Sequence, residues 1–141
     1  MSKSISGVAL ISSILIPFAA SAGYISNYSR WKEISVIEQA AYLAGVMDHW
    51  TRTSTPSEQP WLKPQRTGVN KCLREQGIGT DMLVELVNSH YKAHPADWRI
   101  PPAAVVTHLV TGACLADVNS EREKAGYAPW ERKPSQISED K

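Results

Sequence analysis

The first 22 residues decide how the rest of this chain can fold. They open with a lone cation at Lys3, run apolar from Val8 to Ala20 and close on the small triplet Ala20-Ser21-Ala22, the layout of a secretory signal peptide. The run is shorter than the ~20 residues a transmembrane helix needs, and Pro17 interrupts it. No second apolar segment follows, and no cysteine sits just past the expected cut to accept a lipid. The sequence therefore predicts a periplasmic or secreted protein with no membrane contact after signal cleavage. Removing residues 1–22 leaves 119 of the 141 residues, enough for one domain with a modest core.

Export changes the reading of Cys72 and Cys114. In an oxidising compartment two cysteines in a small domain are expected to pair. Such a bridge closes a 42-residue loop. The chain-entropy model assigns a loop of that length about 4 kcal/mol of stabilisation. A catalytic or metal-binding thiolate would need an activating neighbour, and Cys114 falls on a strongly apolar face instead. Without Lys3 the chain carries 14 basic and 14 acidic residues, so no global field favours nucleic acid, an anionic membrane or an acidic substrate.

Ser35-Val36-Ile37-Glu38 has capping-box spacing and predicts a helix start. Val36, Ala40, Leu43, Ala44, Met47 and Trp50 then recur as one apolar stripe, with Glu38, Gln39, Tyr42 and His49 on the surface. Thr-Ser-Thr-Pro, Pro60 and Pro64 predict a loop of some 18 residues after Thr51, followed by one or two turns over Val69–Gln76. Thr80 and Asp81 open a stronger helix that Pro95 stops, with Leu83, Leu86, Val87, His90 and Tyr91 on its buried face. Pro101-Pro102 starts a last long helix lined inside by Val106, Leu109, Val110, Ala113 and Cys114. Glu121-Arg-Glu-Lys reads as its solvated end and Gly126 as its stop. The expectation is an all-α bundle over residues 23–126, three main helices plus one or two short ones. Residues 127–141 are expected to form a flexible tail.

Searching this frame for chemistry assigns no catalytic, cofactor or metal residue. His90 and His94 share a helical face, but neither a general-base glutamate nor a third ligand is marked by spacing. Asp48, Asp81, Asp97 and Asp117 are separated by helix boundaries, and Gly77-Ile-Gly79 reads as a turn. What remains is recognition. Thr51 to Arg74 gathers Arg52, Lys63, Arg66, Lys71 and Arg74 against Glu58 alone, with Trp61 among prolines. Arginine and tryptophan are the types most enriched at binding hot spots, so Trp61, Arg66 and Trp98 are the candidate partner-binding anchors.

Three stretches taken together resemble a known pattern: Gln39–Trp50 (QAAYLAGVMDHW), Cys72–Pro95 (CLREQGIGTDMLVELVNSHYKAHP) and Arg99–Cys114 (RIPPAAVVTHLVTGAC). Tyr42, Gly45 and Asp48 in a Tyr-x-x-Gly-x-x-Asp array, the Ala93-His94-Pro95 stop and the two cysteines carry most of the likeness. The pattern is similar to the Tai/Rap-type immunity proteins, which protect bacteria from peptidoglycan amidase effectors delivered by type VI secretion. The resemblance implies a small, helical, disulfide-bonded periplasmic inhibitor, often a homodimer, that covers the catalytic cleft of a papain-like amidase and is not itself an enzyme. The competing expectation is a helical envelope chaperone of the acid-stress kind, which exposes apolar surface at low pH.

Overall fold

The computed structural model describes residues 24–52, 58–133 and 135–138, so the expected signal segment lies outside the described residues. Within them the chain is all-helical: α1 (Tyr28–Glu33), α2 (Val36–Thr51), α3 (Leu62–Glu75), α4 (Thr80–Ala93), a 3-10 turn (Pro95–Arg99), α5 (Pro102–Ala113) and α6 (Leu115–Lys124). Ser35 caps α2 as its spacing predicts: its hydroxyl accepts from the Glu38 amide while the Glu38 carboxylate accepts from the Ser35 amide at 2.7 Å. The Ser35 hydroxyl, which also donates to that carboxylate, holds the Glu38 pKa below its ordinary value. The proline signals also hold, since α4 ends just before His94-Pro95 and α5 starts at Pro102.

Three elements depart from the sequence reading. The long loop is shorter than expected because α3 already begins at Leu62. Pro64 lies in its first turn, where a missing N–H removes no helical bond, so this proline marks a start rather than a break. The last long helix is two helices, divided at Cys114 (φ −93°, ψ 12°), and α6 turns to pack along α3. Residues 127–133 and 135–138, expected as a free tail, are bound to the body: Asn119 exchanges hydrogen bonds with both the carbonyl (2.9 Å) and the amide (2.7 Å) of Trp130. Gly79, not Thr80, is the cap residue of α4.

The core gathers Trp31, Leu43, Val69, Val87, Tyr91 and Val106, each fully buried. Trp31 of the unanticipated helix α1 is the largest of them, and its indole N–H donates to Asn88 at 2.8 Å. Gln39, expected at the surface, is buried because its amide donates to the Trp31 carbonyl at 2.9 Å. Val36, expected inside, is 67% exposed, since the first turn of α2 projects beyond the body.

Cys72 on α3 and Cys114 at the head of α6 form the disulfide, with Cα atoms 5.5 Å apart. One turn earlier, Gly68 lets the two helices touch backbone to backbone: a Cβ there would lie 2.5 Å from the Val118 Cα. Lys71 completes the seam by pairing with Asp117 at 2.8 Å, a bond that raises the lysine pKa.

Candidate functional site

Helical geometry places residues four apart on one face, and two helices use this to build a floor. Ala41, Gly45 and His49 form such a row on α2, and Ala104, His108 and Gly112 form another on α5. Between the rows lies a groove of about 1810 Å³. Its walls are Tyr42 and Trp50 from α2, Trp61 and Leu62 at the start of α3, Leu115 from α6 and Trp130 from the C-terminal segment. The floor is open because small residues line it: a Cβ built on Gly45 or Gly112 meets nothing within 4 Å. The α5 hydroxyls are already committed, since Thr107 donates to the Ala103 carbonyl and Thr111 to the Thr107 carbonyl, both at 2.7 Å. Burial raises the Tyr42 phenol above its ordinary pKa.

The wall opposite α2 is held from both ends. At its near end the buried Arg122 guanidinium donates to the Ala128 carbonyl at 2.9 Å and lies 4.4 Å from the Trp130 ring centre, a cation–π contact. At its far end Asp97, fully buried in the 3-10 turn, accepts hydrogen bonds from the Ile137 amide (2.8 Å), the Ser138 amide (2.7 Å) and the Ser138 hydroxyl. His90 Nε2 donates to the same carboxylate at 2.8 Å. Burial alone would push the Asp97 pKa up, but these four donors outweigh it and hold the carboxyl down to about 2. The His90 pKa is also lowered, but by burial, which disfavours the charged imidazolium, and the bond to Asp97 only partly opposes this.

The three anchors named from the sequence do not come together. Trp61 stands 41% exposed on the lip of the groove. Arg66 is buried, and its guanidinium makes a two-pronged pair with the equally buried Glu58. It therefore ties the end of the connecting segment to α3, so it is unavailable at the surface as drawn from its residue type. Trp98 is half-exposed and lies outside the groove lining, its ring tilted against Tyr28 with centres 5.5 Å apart and its indole N–H donating to the Tyr91 carbonyl at 2.8 Å. His90 and His94 have ring centres 4.8 Å apart, yet among the described residues no group of three His, Cys, Asp or Glu is placed to hold a metal. The small-residue rows at 41–45 and 104–112 were the available signal for the groove. Trp130 carried no periodic signal, because its position follows from the Asn119 and Arg122 contacts.

No protein-family model, curated protein or solved structure matches the chain. Among the described residues no helix is long and apolar enough to cross a membrane. The disulfide is of the kind that persists in oxidising compartments.

Proposed function

We propose that this is a periplasmic immunity protein that binds and inhibits a peptidoglycan amidase effector by covering its active-site cleft. The observation that carries the reading is a helical body, stapled by one disulfide, that presents a concave face with a half-exposed tryptophan on its lip. A rigid scaffold suits an inhibitor because little ordering entropy is lost on docking, and a tryptophan beside an apolar depression is the usual form of a hot spot. The likeness of residues 39–114 to the Tai/Rap-type proteins supplies the identity of the partner. Self-association as a dimer belongs to the same proposal and is read by sedimentation equilibrium. The direct test mixes the oxidised protein with papain-like amidase effectors of type VI secretion and follows peptidoglycan cleavage. Stoichiometric inhibition that Trp61→Ala weakens tenfold or more, at unchanged melting temperature, supports the proposal. Full inhibition by the Trp61→Ala protein removes the groove lip as the contact.

One observation favours the acid-chaperone reading instead. Asp97 and His90 latch the segment that walls the groove, and protonation of the carboxylate removes the charge that strengthens its hydrogen bonds to Ile137 and Ser138. That reading expects the protein to suppress aggregation of several unrelated clients near pH 2 and of none at pH 7. Equal behaviour at both pH values rejects it.

A further inference from the structure

We propose that the groove between α2 and α5 is a binding site for a free long-chain carboxylate, its alkyl chain on the glycine floor and its head group at Arg132 and Lys133. This goes beyond the inhibitor reading and does not depend on it. The apolar part of the argument begins with the floor. Gly45 and Gly112 leave open space where side chains would stand, so the depression is a property of the sequence, not of a rotamer. Thr107 and Thr111 spend their hydroxyl hydrogens on their own helix and have none left to donate to a ligand. Methylenes find Val46, Leu62, Leu115 and the tryptophan rings there. The volume of about 1810 Å³ exceeds that of ordinary small-molecule pockets, which run to ~1,000 Å³, so the groove has room for an extended alkyl chain.

The polar part lies on one side. Arg132 and Lys133 are exposed on the C-terminal wall, and among the described residues neither has an ion-pair partner. Glu131 is the one acid among the groove residues. A cationic edge beside an apolar trough is complementary to an amphipathic anion and opposes an amphipathic cation.

Three of the chain's five tryptophans, Trp50, Trp61 and Trp130, line the groove, so binding is read directly from intrinsic fluorescence. The oxidised protein is titrated with octanoate, decanoate and dodecanoate below their micellar concentrations, with dodecyltrimethylammonium as the opposite-charge probe and phosphatidylglycerol vesicles as a membrane probe. Saturable one-to-one binding is expected, tightening about threefold to fourfold per added methylene. The cation should bind at least tenfold more weakly than the matching carboxylate. Lys133→Glu should weaken dodecanoate about threefold at low salt, with less effect at high salt. Gly45→Leu and, independently, Gly112→Leu fill the trough and should weaken it tenfold or more while the helical circular dichroism and melting temperature stay in place. Binding that ignores chain length, equal affinity for the cationic probe, or unchanged affinity in whichever glycine variant folds would overturn the proposal. Vesicle binding that dodecanoate fails to displace would overturn it in favour of a membrane surface.

Discussion

The α3–α6 seam and the C-terminal wall of the groove are both clasped against the bundle, but by different physics. The seam is joined by a covalent bond, a backbone-to-backbone contact at Gly68 and the Lys71–Asp117 pair. The wall is held by hydrogen bonds to Asp97 at one end and by Arg122 and Asn119 at the other. The difference separates a part held chiefly by a covalent bond and backbone packing from a part whose buried anchor, Asp97, titrates in acid.

The comparison is broken most severely at the disulfide. Replacing Cys72 and Cys114 together by alanine should cost about 4 kcal/mol, the scale expected for a loop of 42 residues, and is measured by urea denaturation of the oxidised and variant proteins. Gly68→Ala comes next. The added methyl meets the α6 backbone, which moves only with the whole helix, so a loss of about 2–3 kcal/mol is expected and thermal unfolding reads it. A stability within 0.5 kcal/mol of the parent would show that the two helices slide apart without cost.

The wall tests the other half of the comparison. Asp97 has its pKa held down to about 2 against an ordinary 3.8, so the unfolded chain takes up a proton in acid that the folded chain refuses. The stabilisation is complete above the unfolded value and is lost as pH falls through 4 towards 2, about 2 kcal/mol in all. His90 acts in the same sense: its lowered pKa means that stability is full above 6.5 and declines below it, as the unfolded imidazole protonates first. Asp97→Asn should therefore lower stability by about 2 kcal/mol at pH 7 and flatten its acid dependence between pH 5 and 2. Trp130 emission at low pH should follow the same curve if the wall releases. The smallest effect belongs to Ser35→Ala, which removes the α2 cap, remote from both clasps, and should cost about 1 kcal/mol.

The features legible in advance are those set by neighbours along the chain. The Ser35–Glu38 box, the stop at Pro95, the start at Pro102 and the pairing of the two cysteines all follow from local backbone chemistry or from the oxidising compartment expected from residues 1–22. Pro64 shows the limit of that reasoning, because a proline announces a boundary without saying on which side the helix lies. Arg66 shows it again: its residue type pointed outward, while Glu58 drew it into a buried pair that no spacing rule marks.

By itself the sequence determined an all-helical, once-bridged domain and most of its helix boundaries, since hydrogen-bond supply and apolar periodicity act over a few residues. Only the tertiary structure decided that Gly45 and Gly112 share one trough, that Trp61 borders it while Trp98 stands elsewhere, and that Ile137 binds Asp97 from 40 positions away. Those placements depend on how helices pack and on where a buried carboxylate finds its donors, and both are set by contacts between distant parts of the chain.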